Sequence, residues 1–236
     1  EGIVLLKNDG VLPFREVEQV AVFGPGARHT VKGGSGSGDT NAGVDISICK
    51  GLRMRGFKLN SDTWLNRYDN IFHKAEDDFA SEFRHAIFPP KIREITTLVM
   101  KGVELPPMAV SQTHIESSPA DAAIYVMSRI SSEGTDNSLE PGSFYPDPTE
   151  SESIRRLAKA YKRFVLVINT GNILDLGFTD DISGINAIIY MNNLGGLGGL
   201  ALADVLRGNV NPSGKLVDTW PMKYEDIPGG KTFGNL

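Results

Sequence analysis

Short runs of apolar and β-branched residues alternate along the chain with segments whose apolar positions recur every three to four residues. This is the pattern of a mainly parallel sheet covered by helices on both faces. Strands are predicted at residues 20–24, 57–60, 123–128, 164–169 and 187–191, with 216–220 as a sixth at an edge. Gly2-Ile3-Val4-Leu5-Leu6 reads as the end of a helix or strand already under way, and the chain opens on Glu1, so a piece of a longer polypeptide is expected. Ser61 is predicted to cap a long helix in which Trp64, Tyr68, Ile71, Phe72, Ala75, Phe79 and Phe83 share one stripe, and Pro89-Pro90 to end it. Such an aromatic stripe reads as packing before it reads as a sugar platform. Thr149 and Glu152 suggest a capping box ahead of Ile154, Leu157, Ala158 and Tyr161. A helix over about 197–206 should stop at Gly208, and a short one should lie near 46–53. Residues 92–119 carry Pro106-Pro107 and read as a connecting excursion on the surface. The expected fold is an α/β three-layer sandwich, one domain over residues 1–236 with a mostly parallel sheet of about six strands.

Composition adds mainly exclusions. The chain has 236 residues, of which 40% are hydrophobic and 22% charged, enough for a substantial core. The net charge of −5 comes without any Lys/Arg-rich run, so neither nucleic acid nor an acidic membrane finds a basic surface to grip. Cys49 is the only cysteine, which excludes an internal disulfide and a thiolate cluster. His29, His73, His85 and His114 lack metal-ligand spacing, and neither a metal nor a cofactor is expected. No apolar stretch approaches the roughly 20 residues of a membrane span. No leader-like stretch is visible, which tips the expected compartment toward the cytoplasm without deciding it.

The chemistry concentrates in four loops that follow predicted strands. They contain Pro25 to Asp39, Ser131 to Asp136, Thr170-Gly171-Asn172, and Asn192-Asn193-Leu194-Gly195-Gly196. Parallel strands would bring all four to one edge of the sheet, where open α/β folds bind ligands. The run Lys32-Gly33-Gly34-Ser35-Gly36-Ser37-Gly38-Asp39 has three readings: a flexible linker, a phosphate cradle, or an ordered wall around a polar, uncharged ligand. It matches neither the dinucleotide fingerprint nor the P-loop, and Asp39 would repel an anion. Glu133 follows a predicted buried strand and is placed for proton transfer, but a solvated loop glutamate is the plainer reading. Asp136 and Glu140 are equally plausible on chemistry alone. A nucleotide- or phosphate-binding domain and a non-catalytic scaffold both stay open at this point.

Five blocks, in order, cover nearly the whole chain and together resemble one family. They are Gly2-Ile3-Val4-Leu5-Leu6-Lys7-Asn8 with Leu12-Pro13; Val20-Ala21-Val22-Phe23-Gly24-Pro25; the Lys32 to Asp39 run; Ser128 to Asp136; and Asn211-Pro212-Ser213-Gly214-Lys215-Leu216 closing on Trp220-Pro221. The resemblance is to the second, α/β sandwich domain of glycoside hydrolase family 3, bacterial β-glucosidase type. It implies a partner (β/α)₈-type barrel in the same polypeptide that binds the β-glycoside and carries the nucleophilic aspartate. It implies that Glu133 is the general acid/base, supported by Asp136 and Ser132, and that Lys32 to Asp39 walls the substrate site. In its resting state Glu133 would hold its proton, through partial burial and the charge of its partner. Ser132 stands where many β-glucosidases have glycine, and Asn137 where they have arginine. The latter change removes a fixed positive charge and leaves the loop's anchoring open. No Ser-Asp-Trp nucleophile motif is found, so this chain alone is expected to be inactive.

Overall fold

The computed structural model of the protein describes residues 1–39, 43–131, 137–221 and 223–230. Glu133, Asp136 and Ser132 therefore lie outside the described residues. The frame is a sheet of six strands: β1 (Val4–Asn8), β2 (Gln19–Phe23), β3 (Lys58–Leu59), β4 (Ala122–Ser128), β5 (Phe164–Asn169) and β6 (Ala187–Tyr190). They lie side by side in the order β1-β6-β5-β4-β2-β3. Every pairing is parallel except that of β1 with β6. All seven residues of β4 and all six of β5 are buried. That is what covering a parallel sheet on both faces requires, and it explains their unbroken apolar composition.

The described residues form six α-helices, α1 (Ile48–Met54), α2 (Asp62–Ile87), α3 (Ile92–Lys101), α4 (Gln112–Glu116), α5 (Pro148–Ala160) and α6 (Gly198–Arg207). On one face α1 and α6 pack backbone to backbone. A Cβ on Gly51 would collide with the carbonyl of Gly199, and one on Gly199 with that of Ser47. On the other face α2 and α5 are bridged by residues 109–110, since Trp64 Nε1 donates to Ala109 O at 3.2 Å and Val110 N donates to Ser153 Oγ at 3.0 Å. The aromatic stripe of α2 belongs to the core only in its first half. Trp64 stacks on Tyr68 with ring centroids 5.3 Å apart, and both are buried. Phe79 and Phe83 stack on each other farther along, half-buried.

Four expectations are corrected. Residues 216–220 form no strand, and the place beside β6 is taken by β1 in antiparallel register, Val4 opposite Tyr190. Trp220 instead lays its ring edge-on against Tyr190, with centroids 5.1 Å apart. The capping box of α5 uses Asp147 and Glu150, with Pro148 at the first turn, two residues earlier than Thr149 and Glu152. Ser61 precedes α2 but makes no cap bond; its hydroxyl is drawn into the sheet, accepting from Val22 N at 2.8 Å and donating to Val22 O at 2.7 Å. The excursion over residues 92–119 also contains α3 and α4.

Candidate active site

The strand order turns around between β2 and β4: α1 leads from β2 outward to β3, whereas the strands that follow build away on the opposite side. Ligands of open α/β sheets bind outside the carboxyl ends of the strands at such a switch point. The loops that leave β2 and β4 here are the glycine-rich run and the stem of the Glu133 segment. Glycine brings their backbones together. A Cβ on Gly24 would strike the carbonyl of Val126, and one on Gly26 would lie 2.8 Å from Val126 Cγ1.

The floor beneath these loops is polar although it ends two apolar strands. Asn169 closes β5 fully buried, its Oδ1 accepting from Val31 N at 2.8 Å and from Ser128 Oγ at 3.3 Å. Its amide nitrogen donates to Val31 O at 2.8 Å and Asn192 O at 2.9 Å. One side chain thus joins the chain leaving β2 to the loop leaving β6. Asn192 takes φ 57, in the left-handed region that asparagine tolerates, and accepts from Asn193 N through its own Oδ1 at 2.7 Å.

The glycine-rich run is ordered by specific bonds, unlike a free linker. Lys32 O accepts from Gly195 N at 2.9 Å, and Lys32 Nζ pairs with Asp45 Oδ2 at 3.0 Å. A Cβ on Gly33 would meet Gly38 O at 2.6 Å, and one on Gly34 would meet Ser131 O at 2.9 Å, so the run folds on itself against the β4 loop. Ser35 N donates to Ser131 O at 2.9 Å, and Ser35 Oγ donates to Met100 O at the end of α3. Gly36, Ser37 and Gly38 form a single 3₁₀ turn, after which Asp39 N donates to Gly36 O at 3.1 Å. Ser37, Gly38 and Asp39 are exposed. The next α-helix begins only at Ile48, capped by Ser47, so the run does not lead straight into a helix start as a phosphate cradle would.

Both stems of the Glu133 segment are anchored. On the near side Arg129 makes a two-pronged ion pair with Glu150, at 2.9 and 2.5 Å, while donating to Ser128 O at 2.8 Å. The side chains of Arg129 and Glu150 are only 11% and 3% exposed. On the far side Asn137 Nδ2 donates to Ile173 O at 3.3 Å, and Asn137 Oδ1 accepts from Asn172 Nδ2 at 3.2 Å. The asparagine that stands in the arginine's place is thereby tied to the loop after β5, while Arg129 on the near stem is paired with Glu150. Two clefts flank Ile130. One, about 560 Å³, runs along His29, the glycine-rich run and Phe72; the other, about 610 Å³, lies between Arg129, Asn137, Asn172 and Lys101. Glu140 borders the second cleft.

Sequence reasoning found the four loops but missed Asn169, Asn137, the α3 terminus and Asn193, whose Nδ2 donates to Ser131 Oγ at 3.5 Å, as the parts that join them. A signal was present: Ser128 and Asn169 are polar residues closing otherwise apolar parallel strands. Among the described residues no three His, Cys, Asp or Glu side chains gather as metal ligands, and no helix is long and apolar enough to cross a membrane.

The sequence profile of the glycosyl hydrolase family 3 C-terminal domain matches residues 3–235. The chain is 34% identical to a β-glucosidase of Ruminococcus albus over 236 residues, covering 100% of itself and 23% of that protein. It is 30% identical to β-glucosidase A of Butyrivibrio fibrisolvens, covering 99% of itself and 29% of that protein. β-Glucosidase 3B from Thermotoga neapolitana, solved in complex with glucose, superposes with a TM-score of 0.78 at 31% identity, over 98% of this chain and 31% of the other. The chain thus spans only 23% to 31% of the length of these relatives. By profile, relatives and fold together, it belongs to glycoside hydrolase family 3 as its C-terminal, α/β sandwich domain.

Proposed function

We propose that this domain is one half of the active site of a retaining β-glycosidase, and that it acts on β-linked glucosides. The second half is a (β/α)₈-type barrel of the same polypeptide, which brings the nucleophilic aspartate and most sugar contacts. Residues 1–236 are then a single sandwich domain of that longer enzyme. One observation carries the reading: the glycine-rich run meets the near stem of the Glu133 segment at the switch point of the sheet, and the far stem is tied to the neighbouring loop after β5.

Retaining hydrolysis needs two carboxyl groups about 5–5.5 Å apart across the scissile bond. The barrel carboxylate attacks the anomeric carbon as Glu133 gives its proton to the departing oxygen. Glu133 then takes a proton from the water that releases the sugar. Asp136 and Ser132 orient it. Lys32, Gly33, Gly34, Ser35, Gly36, Ser37, Gly38 and Asp39 form the wall, whose small residues let a sugar approach the backbone closely. Lys32 is neutralised by Asp45, which suits an uncharged ligand.

The test is Glu133→Ala in the full-length enzyme. Turnover of glucosides with poor leaving groups should fall by about 10²–10⁴-fold, and azide should restore breakdown of the glycosyl-enzyme. Glu140→Ala is the control, because Glu140 also borders a cleft at this rim. If Glu140→Ala gave that phenotype and Glu133→Ala did not, the acid would be misassigned.

A further inference from the structure

Ser35 is out of character with its surroundings. It is only 8% exposed, in a run whose next members, Ser37, Gly38 and Asp39, are exposed. Its two donors point to different segments: the backbone N–H to Ser131 O at 2.9 Å, and the hydroxyl to Met100 O. Ser131 lies two residues before Glu133 in the chain. Met100 is in the last turn of α3, where carbonyls have no partner within the helix. The serine hydroxyl supplies one.

Two glycines make this junction possible. Gly102, just past α3, has φ +66, and a Cβ on it would lie 3.1 Å from Ser35 Cβ. Gly36 also has φ +66, and a Cβ on it would lie 3.1 Å from Met100 Sδ. Any other residue at either position would be strained and would crowd the contact. None of α3's ten residues is fully buried, so its end is not held in place by the core. Its C-terminal turn and residues 104–107 border the cleft beside Arg129 and Ser131.

We propose that Ser35 is a positioning residue: braced against α3, it sets the distance between the glycine-rich wall and the loop that carries Glu133. The proposal rests on the reading of Glu133 as the acid/base. Without the hydroxyl, the wall and the Ser131 stem still hold each other but lose their abutment, and the acid shifts relative to the departing oxygen. Displacements well under 1 Å suffice to cost acid catalysis, since a full 1 Å can cost about 10²-fold.

The experiment compares kcat/KM of the full-length enzyme on aryl β-glucosides whose leaving groups range from dinitrophenolate to phenolate. Ser35→Ala should lose about tenfold with the phenyl glucoside and stay within about twofold of the parent with the dinitrophenyl glucoside, which departs without a proton. The basic limb of its pH profile should move, and Ser35→Thr, which keeps the hydroxyl, should recover most of the loss. Gly102→Ala leaves Ser35 in place but crowds the junction, so it should show the same dependence on the leaving group and decides the matter where Ser35→Ala does not fold. An equal loss on every substrate with unmoved pH limbs, or no loss, overturns the role of Ser35. Glu133→Ala is run alongside. If it too shows no dependence on the leaving group, the acid/base reading itself has failed; if it shows a steep one while Ser35→Ala shows none, only Ser35 is misassigned.

Discussion

Single side chains decide how firmly the rim is held. Arg129 and Glu150 pair out of water at the foot of the Glu133 segment, and Glu150 Oε2 also accepts from Asp147 N at 3.1 Å to cap α5. Replacing Arg129 by Ala would leave the carboxylate buried and uncompensated, a change that costs about 3–5 kcal/mol. Chemical denaturation of the isolated chain should register that loss, whereas Arg156→Ala, which breaks an exposed pair with Glu152, should cost under about 1 kcal/mol. Cys49 tests the core beneath. It is buried in α1, and desolvation pushes its thiol up to about 12. Almost no thiolate exists at pH 8, so a maleimide should label Cys49 only after unfolding. Rapid labelling of the native protein would mean that α1 opens far more readily than its packing implies.

At the level of elements, the contact between α1 and α6 is the least forgiving. Gly199→Ala would drive a methyl group into the backbone of Ser47, and the helices would have to part. Such overpacking costs about 1–3 kcal/mol, and the thermal midpoint should fall accordingly; Gly195→Ala, with nothing within 4 Å of the added carbon, separates steric crowding from the φ penalty at that position. These glycines also mark where the sequence was readable and where it was not. The central strands and α2, α5 and α6 were legible because burial on both faces or on one stripe leaves an unmistakable periodicity. Residues 216–220 have the composition of an edge strand, but composition does not reveal which segment reaches the open edge of β6 first. The pairing of β1 with β6 decided that, and 216–220 were left to contribute a ring instead of a ladder. In α3 the apolar residues Ile92, Ile95, Leu98 and Val99 recur at helical spacing although none is fully buried, but the two prolines downstream dominated the reading. The loops of the site were visible as glycine and asparagine clusters. The bonds that join them were not, because Asn169 reaches Val31 across 138 positions and sequence spacing carries no trace of such a contact.

For the molecule as a whole, the proposed split active site predicts that this chain by itself hydrolyses no aryl β-glucoside. Turnover by the purified chain, at any rate above that of a Glu133→Ala control, would contradict a nucleophile housed elsewhere. Addition of a separately produced barrel is the complementary measurement. The edge formed by β1 has a consequence of another kind. Val4–Asn8 is made before every other strand of this sheet, yet its only ladder partner in the described structure is Ala187–Tyr190. Throughout elongation an apolar ribbon therefore waits without its mate while the strands between them are translated. Newborn chains are most prone to mispair or to attract chaperones during that interval, and slowing translation ahead of residue 187 should lengthen it.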